Sequence, residues 1–411
     1  MEEIVVCVIG GAGFLGQHLV KELQKWNHRQ EERRKSKLSE KISSNVKNDL
    51  QHPGEENDDD QIISLESDDE FDDLILLEDE DYETSHIIIK ELKVLDIKPF
   101  EPLFEFDKSP RITYKYCDIR RESQVAAELE GVKIVFHCAA ATKSIWGNQT
   151  KDKEEDDIYW ETNLEGTENV ISGCRKANVK VLVYTSTIAA VMGQKWIAGH
   201  TETLTPQVKE NKLIFGTYGR SRIRAEAIVL DAHKTETENE TQLLTTVLRP
   251  VGLYGEGDDK LIPPFIELAR RCKGKLPAIG TEFSFHQFTY AGNAAYAHIC
   301  AMNQLLRKNV HPLRDCGGVP IYISDNSPVG TTNHVLQPFL QHFGLKTSPL
   351  VNIPVSFLLM YSAILSMWAT IWRNLGWPSK LENTTPTIHF AKHSSKRCCR
   401  QQSTSRTFVK I

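Results

Sequence analysis

The chain has 411 residues, of which 49 are Lys or Arg and 55 are Asp or Glu, so its formal net charge is -6. A hydrophobic fraction of 40% excludes a wholly disordered or collagen-like chain, and the length suffices for one large or two medium domains. Residues 55–83 contain sixteen acidic residues and no Lys or Arg, which leaves 49 basic against 39 acidic residues elsewhere. The remainder of the chain is therefore net positive.

Cysteine usage and the N-terminus limit the class of protein further. The nine cysteines form no C-x-x-C pair and lie near no histidine cluster, which argues against a structural zinc site and against a secreted disulfide scaffold. The first residues lack a basic stretch before the apolar run, so no cleavable signal peptide is expected. We expect buried thiols in a reducing compartment, no metal site and no nucleic-acid partner.

The chain opens with the pattern of a strand, a glycine turn and a helix. Residues 4–9 are a continuous apolar run, as in a strand that is buried on both faces of a parallel sheet. Residues 14–26 then place Leu15, Leu19 and Leu23 at helical spacing, which predicts one apolar stripe facing the sheet. Together these segments predict half of a βαβ unit.

The pattern stops at Asn27. Residues 27–86 are rich in charged and small polar residues and poor in aromatic ones, so they bury too little apolar surface to offset the entropy of ordering. We predict a disordered acidic insertion over 27–86, whose purpose the composition does not indicate.

Strands and helices alternate after the insertion. Strands are predicted over 91–96, 112–116, 133–138, 180–184 and 243–248, and helices over 122–129, 163–177 and 222–233. This alternation predicts an α/β fold of the Rossmann type, with a doubly wound parallel sheet. We assign residues 1–26 and 87–250 to this nucleotide-binding domain and residues 251–350, which are rich in Gly and Pro, mainly to a smaller C-terminal substrate-binding lobe.

An apolar segment follows the lobe. Residues 355–372 carry no charge, and three tryptophans lie at or just beyond their C-terminal end, which is close to the lower length limit for spanning a bilayer. We predict a membrane-associated apolar helix over 353–373 and a basic tail over 374–411. A full span, an in-plane helix and a buried core helix remain open, because serine and threonine recur on one face.

The glycines at positions 10, 11, 13 and 16 lie between the first strand and the first helix. Gly10 suits a tight turn, Gly13 lets the backbone approach a pyrophosphate, and Gly16 lets helix and strand pack closely. The diphosphate would lie at the helix N-terminus. Asp96 ends the second strand and is the candidate for binding ribose hydroxyls, at the usual spacing once the insertion is removed. A carboxylate there repels a 2′-phosphate, so NAD is favoured over NADP.

A group of hydroxyl-bearing residues follows the strand at 180–184. Ser186 and Thr187 lie at the carboxyl end of that strand, where parallel sheets bind their ligands. Tyr218 is followed at the fourth position by Arg222, so a helix would place the phenol beside the guanidinium. An adjacent cation is what a phenol needs to act as a base near neutral pH.

Several further motifs accompany the glycine motif. They are Asp96, Asp118, HCAA at 137–140, NLEGTENV at 163–170, YTST at 184–187, Tyr218 with its cation, LRP at 248–250 and LYG at 253–255. Together these motifs resemble those of an extended short-chain dehydrogenase/reductase. Within that superfamily, residues 290–298 (YAGNAAYAH) and 322–328 (YISDNSP) resemble the 3β-hydroxysteroid dehydrogenase/isomerase family, and the resemblance covers about 330 residues.

This resemblance implies NAD-dependent hydride transfer from the 3β-hydroxyl of a steroid or sterol. Carried over by position, Tyr218 is the base and Thr187 the hydroxyl that orients the substrate oxygen, with Ser186 as a weaker candidate. The resemblance also implies an endoplasmic reticulum membrane location with a cytosol-facing catalytic domain, contact with membrane lipid, and allows a homodimer. The cofactor-binding residues that it implies are Gly10, Gly13, Phe14, Leu15, Gly16, Asp96, Asp118, Ala139, Asn163, Tyr218, Arg222 and Pro250.

One position departs from the family pattern, because Arg222 stands where the family has Lys. Arg keeps the charge, but its planar head is bulkier and cannot pass on a proton. Three functions therefore stay open: a 3β-hydroxysteroid dehydrogenase, a decarboxylating sterol-4-carboxylate 3-dehydrogenase, and a catalytically impaired NAD- or sterol-binding membrane protein. No residue establishes a Δ5-to-Δ4 isomerase step.

Overall fold

The computed structural model describes residues 2–50, 87–142, 153–193, 202, 208–279, 285–307 and 315–353, and the single positions 360, 364 and 367. Its main sheet combines eight strands. They are β1 (Glu2–Ile9), β2 (Ile87–Asp96), β3 (Arg111–Tyr116), β4 (Val132–His137), β5 (Val181–Thr185), β6 (Thr235–Glu236), β7 (Gln242–Pro250) and β12 (Pro320–Ile323).

Seven of these strands are parallel, in the order β3-β2-β1-β4-β5-β7-β12, and β6 pairs antiparallel with β7. The order reverses between β1 and β4, which in such sheets is where a ligand crevice opens outside the carboxyl ends of the strands. The predicted doubly wound parallel sheet is confirmed.

Helices cover both faces of this sheet and build the smaller lobe. They are α1 (Phe14–Leu50), α2 (Glu122–Leu129), α3 (Lys153–Tyr159), α4 (Gly166–Lys176), α5 (Gly216–Asp231), α6 (Ile262–Arg271), α7 (Ala291–Leu306) and α8 (Thr332–His342). A π-helical turn, Trp160–Glu165, joins α3 to α4.

Side-chain alternation along β1 explains why this strand is apolar throughout. Ile4, Val6 and Val8 pack with residues of α1 and α7 on one face of the sheet. Cys7 and Ile9 pack with residues of α2, α4 and α5 on the other face. Because successive side chains of a strand point to opposite faces, a strand covered on both sides must be apolar at every position.

The smaller lobe has its own apolar core, built from α6, α8 and short strands, with Leu261, Phe265, Phe288, Leu336 and Leu340 at its centre. The short strands are β8 (Gly252–Tyr254), β9 (Lys275–Ile279), β10 (Phe285–His286), β11 (Phe288–Tyr290), β13 (Gly330–Thr331) and β14 (Lys346–Ile353), which form three two-stranded sheets.

The first helix differs from the prediction, because α1 continues to Leu50 where a structureless segment was expected from Asn27. Gln, Glu, Lys and Arg are strong helix formers, so the segment forms a helix without an apolar stripe along its whole length. Asn27 is also buried, and its Oδ1 accepts a hydrogen bond from the Ile89 amide at 2.7 Å, which joins the helix to β2. The rest of the predicted insertion, residues 51–86, lies outside the described residues.

No helix in the described part of the chain is long and apolar enough to cross a membrane. The predicted apolar helix over 353–373 lies outside the described residues except for Ile353, which ends β14, and Met360, Ile364 and Met367, three helical positions that are exposed. The predicted basic tail over 374–411 lies outside them altogether.

Candidate active site

The glycine loop between β1 and α1 has the geometry that its sequence predicts. Gly10 has φ +83°, in the left-handed region, and a Cβ there would lie 2.5 Å from the backbone nitrogen of Ala139. A Cβ on Gly16 would lie 2.2 Å from the carbonyl oxygen of Gly10. Both glycines therefore allow close backbone packing, whereas a Cβ on Gly13 meets only the Gly10 carbonyl oxygen, at 3.1 Å.

Asp96 lies beside this loop. Its Oδ2 accepts a hydrogen bond from the Ala12 amide at 3.1 Å, and its Oδ1 accepts one from the Lys98 amide at 3.0 Å. The carboxylate is thus fixed next to the glycine turn although 84 residues separate it from Ala12 in the chain. This is the position that the dinucleotide hypothesis requires of an acid that binds ribose hydroxyls.

Asp118 has a different environment. Its buried carboxylate pairs with Arg120, with 2.8 Å between Oδ2 and Nη2, and this hydrogen bond to Arg120 lowers the pKa of Asp118. In the described structure the Asp118 carboxylate is therefore engaged in a contact within its own loop.

The remaining predicted cofactor residues lie along the same edge of the sheet. Phe14 and Leu15 open α1, Ala139 follows β4, and Pro250 ends β7. The bare glycine backbone, the N-terminus of α1 and the carboxylate of Asp96 suit a dinucleotide, since oriented amides bind a diphosphate and a carboxylate binds ribose hydroxyls.

Helix α5 carries Tyr218 in its first turn and begins six residues before the predicted helix start. It is attached to the end of β5 by its buried residues. Arg222 donates from Nη2 to the carbonyl oxygen of Thr185, and its guanidinium carbon lies 4.9 Å from the centre of the Tyr184 ring. Tyr218 precedes Arg222 by about one helical turn, so the two residues lie on the same side of α5.

The two candidate hydroxyls have different partners. Ser186 is buried and donates its hydroxyl hydrogen to Glu226 of α5. Thr187 is half-buried, and its Oγ1 accepts a hydrogen bond from the Ala189 amide at 3.3 Å, which leaves its own hydrogen to donate. The Ser186 hydroxyl is thus used within the protein, whereas Thr187 keeps a hydroxyl hydrogen that it can donate.

Asn163 joins the β4 end to the Tyr218 helix. Its Oδ1 accepts from the Ala141 amide at 2.8 Å, and its Nδ2 donates to the Ala141 carbonyl and to the Ser221 hydroxyl, both at 3.1 Å. Ser221 in turn donates to the Tyr218 carbonyl at 2.9 Å. Asn163 is fully buried within the π-helical turn, so it supports the site and does not cap a helix.

Three further buried residues lie in the site, and the sequence alone did not predict their roles. Glu226 lies four residues after Arg222, and its carboxylate binds both Nε and Nη2 of Arg249 at 3.1 and 2.5 Å. Arg249 is part of the LRP motif, which indicates no role for its side chain. His298 of α7 pairs with the Thr185 hydroxyl at 2.7 Å. The i, i+4 spacing of Arg222 and Glu226 was the one available signal.

The comparisons with known proteins agree with this geometry. The family model of the 3-beta hydroxysteroid dehydrogenase/isomerase family matches residues 84–355. An Arabidopsis thaliana protein, 3beta-hydroxysteroid-dehydrogenase/decarboxylase isoform 1, is 29% identical over 283 residues, which are 68% of this chain and 60% of that protein. The human sterol-4-alpha-carboxylate 3-dehydrogenase, decarboxylating, is 31% identical over 54% of this chain and 53% of its own length. The chain thus spans little more than half of these relatives.

Among solved structures, a DesIV double mutant (dTDP-glucose 4,6-dehydratase) from Streptomyces venezuelae, with NAD bound, aligns with a TM-score of 0.52. It is 19% identical, and the alignment covers 85% of this chain and 84% of that one, so it shows a shared fold. The predicted cofactor, NAD, agrees with both the family and the fold. With its glycine loop, parallel sheet and matching family model, the chain belongs to the 3-beta hydroxysteroid dehydrogenase/isomerase family.

Proposed function

We propose that the protein is an NAD-dependent dehydrogenase that oxidises the 3β-hydroxyl of a steroid or sterol. The observation that supports the proposal is the attachment of α5, which carries Tyr218 and Arg222, to the carboxyl end of β5, shortly before Thr187 in the chain. Bound NAD would supply the hydride acceptor, with Gly13, the start of α1 and Asp96 as the residues that hold it.

The protein's own residues supply positioning and proton transfer. Thr187 donates to the substrate oxygen and orients it, while Tyr218 takes the hydroxyl proton. Arg222 stabilises the phenolate form of Tyr218 by its positive charge. The Asn163 contacts to Ala141 and Ser221 hold the loop after β4 against the helix that carries Tyr218, so the proton acceptor keeps its place.

Tyr218→Phe tests this assignment. Because the variant removes only the proton acceptor, we expect turnover of 3β-hydroxysteroids to fall at least about 100-fold, while NAD affinity stays nearly unchanged. NADH absorbance measures turnover, and quenching of protein fluorescence measures NAD binding. Unchanged turnover in the variant would assign the proton transfer to another residue.

Two classes of compound are candidates for the substrate. The names of the Arabidopsis and human relatives include decarboxylation, which supports a 4-carboxysterol as the alternative substrate. Release of labelled carbon dioxide from a 4-carboxysterol would favour that alternative, whereas equal NADH yield from plain 3β-hydroxysteroids would favour a simple dehydrogenase. NAD binding without turnover on either class would support the third hypothesis, a binding protein.

We further propose association with the endoplasmic reticulum membrane, a proposal supported by the sterol-processing human relative and by the uncharged segment 355–372. The same proposal includes contact with membrane lipid and the formation of a homodimer. Deleting 355–372 is expected to move the protein from the membrane to the supernatant fraction of lysed cells. A deletion variant that folds and stays with the membrane would contradict the role of this segment.

A further inference from the structure

Three ionised side chains are buried together where α5 meets β5 and β7. The exposed fractions of Arg222, Glu226 and Arg249 are 2%, 1% and 7%. One carboxylate is thus buried with two guanidinium groups, and the group has a net charge of +1. Burial of ionised groups is costly unless they are paired, so the guanidinium that binds this carboxylate determines where the positive charge remains.

Glu226 is the helical neighbour of Arg222, one turn further along α5, and i, i+4 pairs of opposite charge ordinarily meet. Here both oxygens of Glu226 are used elsewhere. They accept Nε and Nη2 of Arg249 and the hydroxyl of Ser186. Arg249 is itself positioned by β7, with its guanidinium carbon 5.5 Å from the centre of the Tyr322 ring.

Arg222 consequently has no carboxylate partner within the described residues. Its contacts are the Thr185 carbonyl and the Tyr184 ring, and its Nε and Nη1 are buried without a hydrogen-bond partner in that part of the chain. A carbonyl and an aromatic face stabilise a cation without cancelling its net charge. Arg222 therefore keeps its net charge in the buried core, about one helical turn from Tyr218.

Three buried titratable groups that Arg222 influences are uncharged near neutral pH. Burial, with Arg222 as the second cause, lowers the pKa of His137 to about 3. Burial raises the pKa of Cys138 to about 11 and that of Tyr184 to about 12. From α3, Tyr159 packs edge-on against Tyr218, with ring centres 5.7 Å apart.

We propose that Arg249 is a positioning residue for the reaction: by binding both oxygens of Glu226, it withholds that carboxylate from Arg222 and leaves the charge of Arg222 for the Tyr218 phenolate. The inference rests on the proposed function, in which Tyr218 takes the substrate proton. The proposal gives Arg249, the arginine of the LRP motif, an electrostatic role in the reaction although it lies far from Tyr218 along the chain.

The test uses Arg249→Gln, Glu226→Gln and the double variant, because the three changes set the buried net charge to 0, +2 and +1. Arg249→Gln frees Glu226 to pair with Arg222, so the acid limb of the kcat profile should move to higher pH by about one unit. Glu226→Gln should move it to lower pH by a similar amount. The double variant should return it to the wild-type position.

A second readout needs neither cofactor nor substrate. Each protein is titrated by the ultraviolet absorbance of tyrosinate, and the curve of its Tyr218→Phe counterpart is subtracted, which isolates the ionisation of Tyr218. The same opposite displacements are expected in this titration. If the wild type turns over no sterol, the proposed function fails while the titration still decides the inference.

Arg224→Gln is the matched control, since it removes an arginine from the same helix at a site that is 53% exposed and paired with Glu210. Arg224→Gln should change neither the pH profile of kcat nor the tyrosinate titration. Thermal unfolding verifies that each variant is folded, and the double variant removes both partners if a single one fails to fold. The proposal would be overturned if the kcat profile and the titration moved in the same direction in both single variants, or if they moved in the double variant. A pair with only a structural role predicts no opposite shifts.

Discussion

At the scale of single residues, Arg222 is the departure from the family pattern that the structure explains. A lysine ammonium is a compact point charge, whereas a guanidinium is planar and can stack. The guanidinium of Arg222 makes contacts that suit a planar group, because it lies against the Tyr184 ring and donates to the Thr185 carbonyl. Arg222 thus keeps a positive charge about one helical turn from Tyr218, and its larger head lies within the buried core.

The glycine loop permits a residue-scale prediction, because Gly13 and Gly16 have different surroundings. Gly16→Ala would place a Cβ 2.2 Å from the Gly10 carbonyl oxygen and should lower the free energy of unfolding by about 2 kcal/mol. Gly13→Ala should keep most of the stability but weaken NAD binding about tenfold or more, since its Cβ occupies the approach to the diphosphate. Denaturant unfolding and NAD titration separate the two effects.

Gly131→Ala is the control for both, because a Cβ there meets nothing within 4 Å and the residue lies away from the loop. Its positive φ should cost some stability without changing NAD affinity. Equal loss of NAD affinity in the Gly13 and Gly131 variants would contradict the assignment of Gly13 to the cofactor.

At the scale of elements, the sequence predicted the central strands β1 and β5 well because each is apolar on both faces. β1 and β5 are buried along almost their whole length, and such runs differ clearly from the polar segments that separate them. Helix boundaries were predicted less well. α5 begins at Gly216, before any apolar period is visible, and α1 extends through a polar segment to Leu50.

The residues of the candidate site also differ in how well the sequence predicts them. Tyr218, Arg222 and Asp96 could be placed from spacing, since a helix period or a strand end determines their neighbours. The Glu226–Arg249 pair could not be predicted from spacing. Its partners belong to two elements whose distance depends on the order of the strands in the sheet, and 23 residues separate them in sequence. Asn163 was identified by its motif, but the contacts that show its clamping role join three different elements.

At the scale of the whole molecule, three buried histidines join the parts of the fold. His18 of α1 donates from Nε2 to the Glu256 carbonyl at 2.9 Å, which links the cofactor helix to the loop before α6. His298 of α7 pairs with Thr185 at the end of β5. His137 of β4 contacts the Thr167 hydroxyl of α4 at 3.1 Å.

These histidines predict acid sensitivity of the fold. Burial lowers the pKa of His18 and His298 from 6.5 to about 4 and that of His137 to about 3. Below pH 6.5 the unfolded chain therefore binds protons that the folded protein does not. Stability is fully present above that pH and should fall as the pH decreases toward 4, by up to about 1.4 kcal/mol per pH unit for each histidine.

Thermal unfolding between pH 8 and about pH 5 measures this slope. His298→Gln should reduce it, since glutamine retains a donor and an acceptor but does not titrate. His28→Gln, at a position that is 46% exposed, is the control and should leave the slope unchanged. A flat stability profile in the wild type would show that the buried histidines are protonated without cost.

The net charge of the whole molecule reflects two separate parts. The acidic segment 55–83 lies outside the described residues, and the rest of the chain is net positive. A net positive remainder suits the dianionic diphosphate of NAD. The overall charge of -6 therefore indicates nothing about the chemistry of the site.

Hydride transfer from the sterol C3 to NAD is the central claim, and isotope transfer tests it directly. The wild-type protein is incubated with NAD and 3β-hydroxysteroids that carry deuterium at C3, and the reduced cofactor is analysed by mass spectrometry. We predict reduced nicotinamide that contains one deuterium, formed together with the 3-ketone and absent with Tyr218→Phe. Wild-type protein that binds NAD but forms no deuterated product from any 3β-hydroxysteroid or 4-carboxysterol would contradict the proposed function.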